Sequence, residues 1–235
     1  MSHITERMQA VKSRIASAAE AAGRDPSQIT LLAVSKTFGT EDILEAETVG
    51  QRAFGENYVQ EALGKIDALR ARTELEWHLI GPLQSNKCNV VAPRFSWVHT
   101  VDRLKIAARL STSRPSSLPP INVCIQVNIS GEDAKSGVAH DGVRELADAI
   151  VELPGLRLRG LMGIAGLNIT DDETRAQFRR LRQHYDDLRD AGFAIDTLSM
   201  GMSADLEAAI AEGATMIRVG TAIFGARANP QHILG

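Results

Sequence analysis

Apolar positions along this chain alternate between two rhythms: short continuous runs, and longer stretches in which they recur every third or fourth residue. Ile4, Met8, Val11, Ile15, Ala18 and Ala22 follow the second rhythm and predict an amphipathic helix, ended by Gly23 and Pro26, that covers one end of the core. Ile29 to Thr37, ITLLAVSKT, follows the first. Its Leu31, Leu32, Ala33 and Val34 read as a strand buried on both faces that stops on Lys36. Strand alternation places Lys36 on the face of Leu32 and Val34, at the mouth of an apolar interior.

The pair of rhythms then repeats. Thr40, Glu41 and Asp42 open a helix continued by Ile43, Leu44, Ala46 and Val49 to Gly50, and Arg52 to Gly55 reads as a strand. Glu56 to Leu69 is the next helix and Leu75 to Ile80 the third strand, closed by Gly81-Pro82. Phe95 to Val101 is a strand, Asp102 to Leu110 a helix, and STSRPSSLPP a surface loop. Strand and helix resume at Ile121 to Ile129, Val143 to Leu153 and Leu156 to Ile164. Asp171 to Ala191 is a long charged helix with Phe178, Leu181, Tyr185 and Leu188 on its buried face. Leu198 to Met202, Asp205 to Gly213 and Met216 to Val219 complete the series as strand, helix and strand.

Eight strands alternating with helices in 235 residues, without an internal break, is the count of a (β/α)8 TIM barrel with an extra N-terminal helix. A doubly wound open sheet is the alternative, weakened because no GxGxxG stands between an early strand and its helix. In a barrel, chemistry gathers at the C-terminal ends of the strands, where Lys36 falls.

Composition narrows the function classes. With 44% apolar and 23% charged residues and a formal charge of -3, nothing gives an electrostatic reason to expect nucleic acid or an anionic membrane as partner. Cys88 and Cys124 make neither a disulfide framework nor a zinc spacing, which favours a reducing, cytoplasmic compartment. No run approaches the roughly 18 apolar residues of a membrane span, and the N-terminus lacks a signal-peptide core. The six histidines include no pair at i, i+4, so metal is set aside.

The strand ends carry the candidate chemistry. A lysine at the mouth of an apolar barrel loses water and can act as a nucleophile, although a solvated lysine past a strand end is the commoner case. GMSAD and RVGTAIFG occupy the loops after strands seven and eight, where barrels often hold phosphate. There Gly201 and Gly220 let backbone approach a ligand, and Ser203 and Thr221 offer hydroxyls. Such an anchor opposite a lysine suggests a phosphorylated carbonyl compound. Arg218 stands between Ile217 and Val219 in a strand that should be buried, and an unpaired guanidinium there costs several kcal/mol. Its acceptor is either an internal carboxylate or a ligand atom such as the ring nitrogen of a pyridine cofactor. His78, between Trp77 and Leu79, reads first as a hydrogen-bonded core histidine, Asn57 as a helix start, and Lys135 as a loop lysine.

Taken together, AVSKT around Lys36, FGENYVQE at 54 to 61, WHLIGPLQSNK at 77 to 87, KSG at 135 to 137, GLMGIA at 160 to 165, LSMGMSAD at 198 to 205 and RVGTAIFGAR at 218 to 227 resemble the pyridoxal 5'-phosphate (PLP) homeostasis proteins. Their fold is like the N-terminal barrel of alanine racemase. The resemblance spans almost the whole chain and implies a single PLP-binding domain over 1–235, of the fold type III kind without the racemase β-domain. It implies that Lys36 forms the Schiff base with PLP, that Arg218 faces the pyridine nitrogen, and that Ser203, Gly220 and Thr221 hold the phosphate. Asn57, His78, Met202 and Ser199 would line the pocket.

An arginine at the ring nitrogen disfavours the pyridinium and mutes carbanion chemistry. The short stretch after Gly225 leaves no room for the racemase β-domain that carries a second base and dimerises, and Tyr58 and Tyr185 fall on helices. The expectation is therefore a monomeric protein without robust catalysis that buffers PLP or delivers it to PLP-dependent apoenzymes, affecting amino-acid and 2-oxo-acid balance. The alternatives are a PLP-dependent amino-acid racemase or lyase, and a cofactor-free Schiff-base aldolase.

Overall fold

The computed structural model describes residues 3–132 and 136–226, which leaves Lys135 outside the described residues. Strands β1 (Thr30–Val34), β2 (Ala53–Glu56), β3 (Glu76–Leu79), β4 (Trp97–Val101), β5 (Ile121–Gln126), β6 (Leu156–Met162), β7 (Thr197–Ser199) and β8 (Met216–Val219) pair in sequence order, and β8 returns to β1. All the pairings are parallel, so the sheet is a closed barrel and no edge is left open. Helices α1 (His3–Ala21), α2 (Thr40–Thr48), α3 (Val59–Ala68), α4 (Cys88–Val91), α5 (Leu104–Ser113), α6 (Val143–Val151), α7 (Asp171–Asp190), α8 (Leu206–Ala211) and α9 (Thr221–Phe224) surround it.

Two apolar regions follow from strand alternation. Residues such as Phe54, Leu79, Val98, Leu198 and Ile217 face outward and join the helix faces in one continuous core. The inward residues split into two small clusters, Leu32 with Ala53 and Met216, and Trp97 with Cys124 and Met162. The remaining interior is polar: His78, His99, Ser199 and Arg218 are all buried on inward positions.

Three sequence expectations shift. β1 stops at Val34, so Lys36 lies two residues past the strand, in a turn whose next residue, Thr37, has φ +69°. Ser35 N–H still pairs with the Gly55 carbonyl, so the left-handed residue that redirects the chain comes directly after the lysine. Glu56 is the last residue of β2 and Tyr58 only caps α3, so Tyr58 belongs to the rim loop and is exposed. Helix α1 does not close an end of the barrel. It lies on its side against α2, α8 and α9, across the β8–β1 closure, with Ile4, Met8, Val11, Ile15 and Ala19 buried. The short α4 went unread because Gly81-Pro82 and the polar run after it mask its few apolar positions.

Elsewhere local chemistry fixes the elements as read. α7 starts at a capping box in which the Thr170 hydroxyl accepts from Glu173 N–H and the Glu173 carboxylate accepts from Thr170 N–H. It buries Phe178, Leu181, Tyr185 and Leu188. In β6, Gly160 (φ +153°) pairs with Cys124 and Thr197 so closely that an added Cβ would stand 1.7 Å from the Thr197 carbonyl oxygen. Gly160→Ala is expected to lower stability to urea by about 3 kcal/mol or more, since the β7 backbone at Thr197 must move. An unfolding midpoint equal to wild type would contradict the tight β6–β7 approach.

Candidate functional site

The C-terminal mouth of the barrel begins with the turn that carries Lys36. Ser35 N–H still donates to the Gly55 carbonyl, and Phe38 N–H returns to the Ser35 carbonyl at 3.0 Å, so the chain reverses around the half-buried lysine. Below it, Lys65 Nζ donates to the Ser35 carbonyl (2.8 Å), Glu56 Oε1 (2.7 Å) and Glu61 Oε1 (2.6 Å). Glu56 Oε1 also accepts from the Ser35 hydroxyl, and Glu61 Oε1 from Thr37 N–H. The residues on either side of Lys36 are thus tied to α3 and β2 by one buried ammonium. Burial pushes the Glu56 carboxyl up, against the pull of Lys65, and its Oε2 has no partner.

Barrel closure brings the last strand beside this turn. Leu32 is in register with Arg218 and Ala33 with Val219, so Gly220 and Thr221 emerge next to the end of β1. Gly220 packs on Val34 so tightly that a Cβ would lie 3.2 Å from the Val34 carbonyl oxygen. Phe38 stacks on Phe224 at 5.1 Å, joining the lysine turn to α9. The β7–α8 loop completes this side. Gly201 (φ +89°) accepts from Arg218 N–H through its carbonyl, and Met202 N–H donates to the Asp205 carboxylate. Ser203 sits half-buried in the turn before α8, whose N-cap is Asp205.

Arg218 forms the floor. Its side chain is buried, with Nη1 donating to Ser199 Oγ and Nη2 to the Gly163 carbonyl, both at 2.9 Å. Among the described residues no carboxylate pairs with it. Burial lowers its pKa to about 10, which still leaves the guanidinium charged at neutral pH.

Directly after β2, the strand next to β1, Asn57 lines a cavity of about 360 Å³ that runs on past Ile80, Gly81, Thr100, Gln126 and Ile164. Gly81 lies against the Asn57 carbonyl, where a Cβ would stand 2.0 Å away, and Asn57 Oδ1 is buried with no partner. Such an orphaned acceptor in a cavity wall is a place for a donor from a ligand or a water.

His78 lies elsewhere. It lines a smaller cavity of about 210 Å³ at the N-terminal mouth with Thr30, Glu76, Trp97 and Arg159, and reaches the upper site only through other side chains. Its Nδ1 is 3.0 Å from His99 Nε2, and His99 Nδ1 is 3.0 Å from Ser199 Oγ. Burial holds both imidazoles below the ordinary 6.5, His99 well below, where His78 and Arg218 add to the effect.

Of the residues singled out by sequence, the structure gathers Lys36, Gly220 and Thr221 at the closure and joins Ser199 to Arg218 directly. Met202 and Ser203 stand in the adjoining loop, Asn57 at the end of the neighbouring β2, and His78 deep in the barrel. Reading the sequence missed His99, Gly163 and the Lys65 clamp. His99 carried no signal of its own in the sequence, whereas the i, i+4 spacing of Glu61 and Lys65 was visible. Gly163 contributes only a carbonyl, which no side-chain pattern reveals.

The family model described as alanine racemase, N-terminal domain, matches residues 7–228. The pyridoxal phosphate homeostasis protein of Pseudomonas aeruginosa is 56% identical over 227 residues, covering 97% of both chains. That of Escherichia coli is 53% identical over 232 residues, covering 97% of this chain and 98% of its own. Among solved structures, PipY of Synechococcus elongatus with PLP bound superposes with a TM-score of 0.83 at 38% identity, covering 94% of this chain and all of PipY.

The two buried histidines set a pH dependence. Because their folded pKa values lie below 6.5, the unfolded chain binds more protons than the folded one beneath that value, and stability falls as pH drops through it. Between about pH 7.5 and pH 5.5, urea stability is expected to fall by up to about 1.4 kcal/mol per pH unit for each histidine. His184 adds in the same direction, so the comparison with His99→Phe isolates the share of His99: that variant should show a shallower slope. An equal slope in both proteins would contradict the assignment.

Proposed function

Since the chain belongs to the pyridoxal phosphate homeostasis protein family, built on the alanine racemase N-terminal domain, we propose that it binds PLP at the C-terminal mouth of the barrel and serves the supply of that cofactor. The observation that carries this reading is Arg218. A buried, charged guanidinium held by a serine hydroxyl and a backbone carbonyl has charge left over for a ligand acceptor, and a pyridine nitrogen is one.

The other residues fit the same group. Lys36 would supply the amine that holds the aldehyde end of the cofactor. Ser203, Thr221 and the Gly220 backbone hold the phosphate, at a place where a Cβ would crowd the Val34 carbonyl. Asn57 offers its orphaned Oδ1, and Met202 and Ser199 complete the wall. His78 belongs to the same assembly at a distance, through His99 and Ser199. When bound, PLP supplies an electron sink, and facing a cation in place of a carboxylate its ring nitrogen stays unprotonated and the sink weak. This agrees with relatives named for homeostasis and not for a reaction.

We extend the reading to one domain over 1–235 that works as a monomer in the cytoplasm and passes PLP to apoenzymes that need it. Both described cysteines are buried and unbonded, and no helix among the described residues is long and apolar enough to cross a membrane.

Absorption spectra test the central assignment. Protein incubated with PLP and desalted should show a visible band that borohydride abolishes, and Lys36→Ala should lack it. A Lys36→Ala protein that keeps the band would sink the assignment. Ser203→Ala combined with Thr221→Ala should lose PLP faster on dialysis, each charge-assisted hydrogen bond being worth about 1.5 to 3 kcal/mol. Retention equal to wild type would place the phosphate elsewhere.

A further inference from the structure

The polar line through the barrel has a direction, and Arg218 sets it. A guanidinium has donors and no acceptor, so Ser199 Oγ must accept from Nη1. The hydroxyl owns a single proton, and its other recorded neighbour is His99 Nδ1 at 3.0 Å, so the proton goes there. His99 Nδ1 is then an acceptor, which puts the ring proton on Nε2, where it donates to His78 Nδ1 at 3.0 Å. His78 in turn carries its proton on Nε2. That atom is buried, has no hydrogen-bond partner, and lies 3.6 Å from Glu76 Oε2 at the N-terminal mouth. One tautomer of each ring satisfies the line from end to end.

The reverse arrangement leaves a donor without a partner at the serine. With a proton on His99 Nδ1, Ser199 Oγ would accept from both Arg218 and His99, and its own hydroxyl proton would have no recorded acceptor. A proton on His78 Nδ1 would oppose the one on His99 Nε2 and force the same reversal one step later. Trp97 holds both rings in place, stacked on His78 at 5.2 Å and tilted against His99 at 5.7 Å. Arg159 lies over the Trp97 ring from the N-terminal side at 4.6 Å. The rings are therefore fixed by packing as well as by hydrogen bonds.

We propose that His99, backed by His78, is a positioning residue for Arg218: it takes up the Ser199 hydroxyl proton so that the serine oxygen always faces the guanidinium and fixes its orientation beneath the cofactor ring. Neither histidine touches the ligand. The inference rests on the PLP reading for its consequence, but its hydrogen-bond direction belongs to the protein alone.

Two measurements test it. Imidazole nitrogen NMR shifts of the wild-type protein without PLP at pH 7 should show both His78 and His99 as neutral Nε2–H tautomers, and an Nδ1–H tautomer or a protonated ring at either overturns the relay. In PLP-loaded protein, His99→Phe should still be trapped at one PLP per chain by borohydride, yet show a displaced visible band and release PLP at least about tenfold faster. His99→Asn, whose amide oxygen can stand near the Nδ1 position and accept from Ser199, should restore both to within about twofold of wild type. Cys124→Ala, a packing change in the same interior layer, should leave both unchanged. If His99→Phe behaves as wild type, or Cys124→Ala disturbs spectrum and release as much as His99→Phe does, the positioning role is wrong. A wild-type protein that takes up no PLP would instead sink the cofactor reading, and with it the role toward the ring, while the tautomer result would still decide the relay's direction.

Discussion

A positive charge sealed inside a barrel of eight parallel strands is the constraint around which this protein is arranged. Arg218 sits on an inward position of β8, where hydrophobic side chains would be the default filling, and among the described residues no carboxylate forms an ion pair with it, Asp205 acting only from a distance. Leaving a buried charge without partners costs about 3 to 5 kcal/mol, so its neighbours have to be acceptors. They are Ser199 on β7 and the carbonyl of Gly163 just past β6. The two apolar clusters inside the barrel are small and separate because this polar line runs between them.

The fold was legible because its signal is repetition. Strand and helix periods alternate along the whole chain, and errors of a residue or two at each boundary do not change a count of eight. What pattern could not give was the local path where strands end. Thr37 at φ +69° turns the chain directly after Lys36, and the clamp of Lys65 on Ser35, Glu56 and Glu61 helps to hold that turn. Within the site, Arg218 was legible because a charge in an apolar run is an anomaly at the sequence level. His99 was not, since a histidine flanked by Val98 and Thr100 in a short strand is ordinary until the barrel closes and faces it to residues a hundred positions away. His78 shows the opposite case. The family resemblance implied a pocket wall, whereas its register in β3 directs it to the other mouth.

Closure of β8 on β1 converts these separate anomalies into one site. The Leu32–Arg218 and Ala33–Val219 register fixes the height of the guanidinium relative to the lysine turn, and the Phe38–Phe224 stack fixes the turn against α9. α1 packs outside this seam on α2, α8 and α9, and its Arg14 reaches the Ser203 carbonyl in the β7–α8 loop. The N-terminal helix thus braces the loop that carries Ser203, a part of the chain far from it in sequence.

The choice of acceptors for Arg218 bears on what the site can do. A carboxylate in place of Ser199 would satisfy the guanidinium more strongly and also cancel its charge, so that a ring nitrogen above it would meet a neutral pair. Neutral acceptors fix the orientation and leave the charge in place. Neutral histidines behind them extend the same logic, because burial keeps both rings uncharged and avoids a second cation beside the first. On the proposed reading, a site built this way would attract an electron-rich ring and an anionic phosphate without protonating the ring. Binding strength and electron withdrawal are thereby separated, which suits a protein that holds its cofactor without drawing on its chemistry.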